Sequence, residues 1–252
     1  MKIVLSPAKK LDLKSKYPNY DYTVPVFIDD AAKLIEVLKQ KSPEEIKQLM
    51  KLSENLANLN WERYQNWSKF HTTDTARPAI FTFNGNVYDG LDIKNFNEAD
   101  LFKANDKIRI LSGLYGVLRP FDLIYPYRLE MGTKLKFDNY NNLYEYWRDK
   151  VTDYLNKDLK KDEVLVNLAS QEYFKAIDKE KLNNPVIDIV FKDYKDGELK
   201  TISLYAKKAR GMMSRFITQK NIDKVEDLKL FNMEGYQYDN NLSDENKLVF
   251  TR

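Results

Sequence analysis

Three short apolar runs, far apart in the chain, each end in a serine followed by a turn. They read IVLSP, RILSG and NLASQ, and their serines are Ser6, Ser112 and Ser170. Short apolar runs bounded by turn residues are typical of buried strands, and the helical patterns between them are typical of α/β proteins. Ligands bind outside the carboxyl ends of the strands in such a sheet. We therefore predict one sheet edge that carries all three serines; the alternative is that serine is simply common where strands stop.

A chain of 252 residues has room for one large domain or two small ones. No linker, internal repeat or low-complexity tract divides it, so we predict a single compact α/β domain, residues 1–252, with a mixed sheet. A helix from Asp29 or Asp30 to Lys41 is followed by Ser42-Pro43-Glu44-Glu45, which has the pattern of a capping box. These two helices predict a helical hairpin near the N-terminal third.

Local patterns predict the remaining elements. The predicted strands, from their apolar runs, are Ala79–Phe83, Val164–Leu168 and Leu248–Phe250. The predicted helices are Leu143–Leu155, Gln171–Leu182 and Tyr205–Thr218. The predicted tight turns are Asn84-Gly85, Asp89-Gly90 and Asp196-Gly197, the last within an antiparallel hairpin.

The stretch Lys107–Lys136 contains a short apolar run and then a glycine-containing loop. A break at Ser112-Gly113 and a second glycine at Gly116 predict a tight loop after a strand. Such a loop brings backbone N–H groups close to a bound anion. We therefore predict that Ser112, Gly113 and Gly116 help to hold an anion.

Two arginines and two carboxylates follow this loop. Arg119 and Arg128 alternate with Asp122 and Glu130. If the segment forms a catalytic cleft, Glu130 or Asp122 is the candidate general base. In the alternative, the arginines pair with the two carboxylates and the segment only connects core elements. Arg128 and Glu130 are two residues apart and share a face of an extended segment, which fits that alternative.

Basic residues are distributed unevenly, although the formal net charge is only +3. From Leu199 to Ile222 the chain has six lysines and arginines and no acidic residue. DNA is bound largely through its phosphates, which lysine and arginine side chains neutralise. The candidate anion-binding side chains are Lys9, Lys10, Arg119, Arg128, Lys207, Lys208, Arg210 and Arg215.

Residue types and motifs that define other classes of protein are missing. The chain has no cysteine and one histidine, His71, which excludes disulfides and argues against a histidine-based metal site. It has no glycine-rich dinucleotide motif and no Walker motif. We expect no metal and no cofactor. No apolar run is long enough to span a membrane, so we expect a cytoplasmic location and no membrane partner.

Six phrases of the chain resemble those of the peroxide-stress protein YaaA family. They are SPAKKLD (6–12), LSGLYGVLRPFDLIYPYRLEMG (111–132), NLASQEYF (167–174), YAKKARGMMSRFI (205–217), EGYQYD and LVFTR. The resemblance implies an α/β protein of unusual topology with a basic cleft, a helix-hairpin-helix-like element and DNA binding. It also implies a role in limiting free iron and its damage during hydrogen peroxide stress. This chain has Asn86 where the family phrase has Asp, which removes one candidate catalytic carboxylate.

Two functional hypotheses follow. The first is a monomeric stress protein that binds double-stranded DNA with weak sequence preference, through a basic cleft. The second is an enzyme that acts on a nucleotide or nucleobase-like ligand, a small anion held by the Ser112–Gly116 loop in the same cleft. A phosphate binder is hindered by a carboxylate at its centre, whereas a general-base enzyme requires one. We favour binding, because the acid-free basic segment suits a polyanion.

Overall fold

A mixed sheet forms the centre of the protein, in a computed structural model that describes residues 1–252. The strands are β1 (Lys2–Leu5), β2 (Lys10–Leu11), β3 (Arg77–Pro78), β4 (Phe83–Asn84), β5 (Ile108–Ser112), β6 (Gly116–Leu118), β7 (Leu123–Ile124), β8 (Leu165–Asn167), β9 (Val186–Lys195), β10 (Glu198–Lys200), β11 (Gln237–Tyr238) and β12 (Lys247–Thr251). The α-helices are α1 (Ile28–Lys39), α2 (Pro43–Met50), α3 (Glu54–Asn66), α4 (Ala79–Thr82), α5 (Asn86–Leu91), α6 (Glu98–Lys107), α7 (Leu143–Asp158), α8 (Gln171–Phe174), α9 (Ser203–Gln219) and α10 (Val225–Leu228). Single 3₁₀ turns lie at Ile93–Asn95 and Met233–Gly235.

The main sheet has the strand order β11-β12-β9-β8-β1-β5-β6, with β10 paired to β9. Its central strands β9, β8, β1 and β5 run parallel, while β6, β10 and β11 are antiparallel to their neighbours. Strand β1 lies between β5 and β8, with Val4 opposite both Arg109 and Asn167. The predicted α/β domain with a mixed sheet is confirmed, including the parallel arrangement of the three serine-terminated strands.

The order in which the chain visits the sheet creates a crevice between β1 and β8. From β1 the chain next enters the main sheet at β5, on one side of β1. From β8 it continues to β9, on the opposite side. Adjacent parallel strands whose connections leave in opposite directions open a crevice at their carboxyl ends, which is where ligands bind in such sheets. Ser6 and Ser170 follow these two strands.

The two helices predicted for the N-terminal third are present, with the capping box formed as predicted, but they pack against α3 rather than against each other as a hairpin. The Ser42 hydroxyl accepts a hydrogen bond from the Glu45 amide, and the Glu45 carboxylate accepts one from the Ser42 amide. Helix α1 begins after Phe27, and the two aspartates predicted as caps lie in its first turn instead. The second helix breaks at Lys51, which has a left-handed conformation (φ 53°), and resumes as α3.

The predictions for residues 79–90 were wrong. Ala79–Phe83, predicted as a strand, is mainly the single helical turn α4, because the amides of Ala79 and Ile80 bond to the carbonyls of Asp122 and Pro120. Asn84-Gly85 does not form a hairpin, and Gly90, predicted to lie in a turn, is inside α5. These are effects of tertiary packing, which a local pattern does not register.

Gly90 and Gly211 allow α5 and α9 to cross in close contact. A Cβ atom on Gly211 would lie 1.8 Å from the Val87 carbonyl oxygen, and one on Gly90 would lie 2.0 Å from that of Lys208. Only glycine fits such an approach of two backbones. The crossing fixes the basic helix α9 against the segment that follows β4.

The other predicted elements are confirmed, with changes at their ends. The hairpin of β9 and β10 turns at Asp196-Gly197, where both residues have positive φ. The helix predicted for 171–182 stops after Phe174, and the amide of Asp178 bonds instead to the Thr152 hydroxyl of α7. None of the helices combines the length and apolar composition needed to cross a bilayer.

Candidate binding site at the carboxyl ends of the parallel strands

Two of the three predicted serines touch each other across the crevice between β1 and β8. The Ser6 hydroxyl donates to Ser170 Oγ over 3.2 Å and accepts from the Ser170 amide over 2.9 Å. Both residues are half-buried. Ser112 ends the neighbouring strand β5, but it is fully buried and bonds to the Tyr127 hydroxyl over 2.6 Å. The edge predicted from the serines therefore exists, with Ser6 and Ser170 at its surface.

Three buried tyrosines lie beneath this edge. Tyr88 donates to the Ser6 carbonyl over 3.1 Å, and the Phe83 ring contacts the rings of both Tyr88 and Tyr127. Burial raises the pKa of Tyr88 and of Tyr173 well above the usual value, and the proximity of Tyr127 adds to both shifts. All three phenols are therefore neutral hydrogen-bonding groups near pH 7. Sequence reasoning missed them, because an isolated tyrosine in the sequence does not show which hydroxyls converge.

Lys9, Arg128 and Glu130 form an ion triad at the sheet edge. Arg128 donates to Glu130 Oε1 through Nη2 at 2.9 Å and Nε at 3.1 Å, while Lys9 Nζ lies 2.7 Å from Oε2. Tyr64 helps to fix this segment by donating to the Arg128 carbonyl. Two cations share one carboxylate, so the triad carries a net positive charge.

The surroundings of Glu130 make it a weak base. Burial alone would raise the pKa of its carboxyl, but the hydrogen bonds from Lys9 and Arg128 outweigh burial and hold the pKa below its usual range. A general base works best when its pKa is close to the working pH, and a carboxylate stabilised by two cations is far from that condition. The ion pair that the sequence left as an alternative for Arg128 and Glu130 is the arrangement found.

Asp122, the other candidate base, belongs to a separate, buried turn. Its carboxylate accepts from the Thr23 hydroxyl over 2.5 Å and from the Arg119 amide over 2.7 Å. Arg119 also places its guanidinium 3.4 Å from the same carboxylate. Burial raises the pKa of Asp122, and these hydrogen bonds offset part of that shift. Asp122 makes no contact with Glu130, so the two do not form a catalytic pair.

The predicted anion loop at Ser112, Gly113 and Gly116 is a buried hairpin between β5 and β6. The amides of Leu114 and Tyr115 already bond to Ser112 Oγ, at 3.2 and 2.9 Å. Gly116 has φ +68°, and a Cβ atom there would lie 2.6 Å from the Trp147 ring. The glycines thus serve the turn and its packing rather than an approach to an anion. We therefore remove this loop from the candidate site.

The cationic side chains of α9 differ from one another in their ion-pair partners and burial, and their spacing in the sequence does not indicate these differences. Lys208 pairs with Glu234 at 2.5 Å and Arg215 with Asp92 at 2.8 Å. Lys207 is exposed and has no ion-pair partner. Arg210 is half-buried and lines a cavity beside the sheet. The segment 199–222 contains no acidic residue, but acidic residues from other parts of the chain pair with two of its cations.

Lys10 is a further exposed cation without a carboxylate partner. It lies in β2 opposite Asn84, just before α5. Helix α9 crosses the same α5 through the glycine contact described above. Lys10 therefore lies beside the strand that precedes α5, and Lys207 lies on the helix that crosses α5. Lys9, next to Lys10 in the chain, belongs to the Glu130 triad.

His71, the one histidine, lies in the core rather than at this edge. Its Nε2 is 3.1 Å from the Tyr115 hydroxyl, and burial lowers the pKa of the imidazole to about 4. No group of three or more carboxylate or histidine side chains in the structure is arranged to hold a metal ion.

The fold and the site define an α/β protein whose parallel strands have, at their carboxyl ends, buried tyrosines and an ion triad with a net positive charge. The chain belongs to the family described as "Peroxide stress protein YaaA", which matches residues 1–242. This confirms the resemblance read from the six phrases of the sequence.

Curated relatives match the chain over its full length. A UPF0246 protein of Flavobacterium johnsoniae is 54% identical over 252 residues, which is 100% of both chains. UPF0246 proteins of Flavobacterium psychrophilum and Marinomonas sp. are 52% and 51% identical, covering all of this chain and 100% and 97% of their own. Their names add no activity to the family description.

Proposed function

We propose that this member of the peroxide stress family binds double-stranded DNA through its phosphates and thereby takes part in limiting iron-dependent oxidative damage. The proposal is supported by a surplus of cations in the Glu130 triad, on β2 and on α9. Lys9 and Arg128 share the single carboxylate of Glu130, and Lys10 and Lys207 have no carboxylate partner. A surface of this kind gains affinity for a polyanion by releasing counterions from it.

The same surface accounts for weak sequence preference. Flexible lysines that contact phosphates position a protein on the duplex without reading the bases. We therefore propose that Lys9, Lys10, Arg128 and Lys207 form the DNA surface, with Lys208 and Arg215 at its margin because both are already paired. Arg119 is paired with a buried aspartate, and we leave it out of the surface.

The enzyme hypothesis is weaker in this geometry. Glu130 has a lowered pKa between two cations, and Asp122 lies buried in a turn. Glu130 is therefore not a base that is poised near neutral pH. Burial raises the pKa of Asp122, but its carboxylate is enclosed in the turn and bonded to the Thr23 hydroxyl and the Arg119 amide. We also propose a cytoplasmic monomer, in keeping with the absence of cysteine.

The salt dependence of DNA binding tests the proposal. Affinity for a duplex of mixed sequence is measured by fluorescence anisotropy across a range of salt concentrations. Each lost phosphate contact reduces the slope of log K against log[salt] by roughly 0.9. The double variant Lys10→Ala/Lys207→Ala is expected to flatten the slope by about 2, alike for unrelated sequences.

A matched control removes two exposed lysines on other elements of the fold. Lys33 on α1 and Lys157 on α7 are exposed and have no ion-pair partner. The variant Lys33→Ala/Lys157→Ala has the same net charge as the test variant and is expected to keep the wild-type slope. Equal slopes for the two variants would contradict the proposed surface, and absence of binding by the wild-type protein would remove the DNA function altogether.

A further inference from the structure

A cavity of about 710 Å³ lies beside the sheet, apart from the triad of Lys9, Arg128 and Glu130. Asn167 at the end of β8, Asp188 and Ile189 of β9, and Arg210 of α9 all line it. This volume is within the range of pockets that hold small organic ligands, roughly 300–1,000 Å³. Its place at the carboxyl end of a parallel strand is also typical of ligand sites in α/β sheets.

Arg210 in this cavity is a charge without a partner. Its guanidinium makes no salt bridge to any carboxylate of the chain, and no oxygen of the protein accepts a hydrogen bond from it. Burial lowers the pKa of Arg210, and no opposing interaction with a carboxylate offsets that effect. A half-buried cation without a counter-charge is destabilising for the folded protein. Arg128 and Arg215, by contrast, each form an ion pair with a carboxylate.

The acidic groups of the cavity do not supply that counter-charge, since none of them pairs with Arg210. Asp188 already accepts a hydrogen bond from the Asn167 amide over 2.7 Å and from Lys179 Nζ over 2.9 Å. The cavity is lined by five cationic side chains and three carboxylates. Two of the other cations, Arg148 and Lys175, also lack an ion-pair partner. The cavity therefore carries a surplus of positive charge that favours an anion.

The geometry of the Arg210 guanidinium and the apolar walls of the cavity indicate which class of anion fits. A guanidinium presents a planar fork that matches a phosphate or a carboxylate through two parallel hydrogen bonds. The surplus of cations favours the greater charge of a phosphate. Apolar side chains complete the wall, among them Phe174, Ile177 and Val190. Such a wall suits an organic group attached to the phosphate.

We infer that this cavity is a binding site for a small phosphomonoester, with Arg210 holding the phosphate and the organic group packed against Phe174 and Ile177. This site is separate from the proposed DNA surface. It removes Arg210 from the set of DNA contacts and gives the partnerless guanidinium a counter-charge.

The test uses the full-length protein, with methyl phosphate and phenyl phosphate as probes. Isothermal titration calorimetry gives the affinities, and thermal unfolding at constant ionic strength gives the ligand-induced shift in Tm. Both probes are expected to bind the wild-type protein and raise Tm relative to sodium chloride. Phenyl phosphate is expected to bind about tenfold more tightly, because the apolar wall shields its ring from water.

The variant Arg210→Met separates a ligand-binding role from a structural one. It is expected to weaken phenyl phosphate binding at least tenfold, to lose the ligand-induced rise in Tm, and to have an unliganded Tm no lower than that of the wild type. The matched control Arg63→Met removes another half-buried arginine without a carboxylate partner, on α3. It is expected to retain the full response to phenyl phosphate.

Three results would overturn the inference: binding that persists in Arg210→Met, no Tm shift of the wild type beyond that of chloride, or acetate binding as tightly as methyl phosphate. The variant Lys10→Ala/Lys207→Ala is expected to bind phenyl phosphate normally, and Arg210→Met is expected to keep the wild-type DNA salt slope. Failure of the cavity site and failure of the DNA proposal are thus distinguishable.

Discussion

Arg128 at the sheet edge and Arg210 in the cavity have opposite electrostatic surroundings, although both are half-buried. Arg128 makes two hydrogen bonds to Glu130, and Lys9 completes the triad. Arg210 has no acceptor and no carboxylate partner. The comparison teaches that basic residues in one chain do not form one surface. The compensated arginine belongs to the edge that we propose as a DNA surface, whereas the uncompensated one indicates a missing counter-charge.

Replacing each arginine in turn is expected to give the largest difference, which lies in the free energy of unfolding of the two variants. The variant Arg128→Met leaves Glu130 with only Lys9 as a partner, so we expect the free energy of unfolding to fall by about 2 kcal/mol. Arg210→Met removes a charge that lacks compensation, so we expect the free energy of unfolding to stay the same or to rise. Urea denaturation of both variants in phosphate-free buffer measures the difference. Equal losses in the two variants would break the comparison.

A smaller effect, specific to Glu130, is expected in the dependence of the free energy of unfolding on acidic pH. The pKa of Glu130 is lowered in the folded protein, so the unfolded chain binds more protons between the two pKa values. The contribution of Glu130 to stability is therefore present above its ordinary pKa and is lost as the pH falls through the lower, folded value.

Urea denaturation from about pH 6 to about pH 3 measures this contribution. The wild type should lose more stability across that range than Glu130→Gln, whereas Arg210→Met should keep the steeper wild-type dependence. Identical profiles for the wild type and Glu130→Gln would mean that the triad is not formed in solution.

Much of the fold could be predicted from the sequence, because the signals were local. The capping box at Ser42 depends on residues three apart, and the Asp196-Gly197 turn on adjacent ones. The parallel strands were recognised from their apolar runs. The errors at Ala79–Phe83 and Gly90 arose where a distant carbonyl or a helix crossing decided the backbone conformation.

Less of the site could be predicted from the sequence, because most of its interacting residues are far apart in the chain. The ion pair of Glu130 and Arg128, which the sequence offered as an alternative, could be foreseen because the two are two residues apart on an extended segment. Lys208 and Glu234, or Arg215 and Asp92, come together only in the folded chain. The acid-free stretch therefore predicted a stronger basic surface on α9 than the ion pairs allow. No local pattern indicates that Arg210 faces a cavity.

The measurement that tests the central claim most directly is made on Glu130→Gln, with duplex DNA affinity, Tm and protection of cells from hydrogen peroxide read together. Glu130 pairs with Lys9 and Arg128 and places a negative charge among the cations that we propose to bind phosphate. We predict that the neutral substitution leaves DNA affinity unchanged or slightly raised, and that protection persists. Loss of protection in a variant that still folds and keeps its DNA affinity would contradict the binding account and make Glu130 a catalytic group.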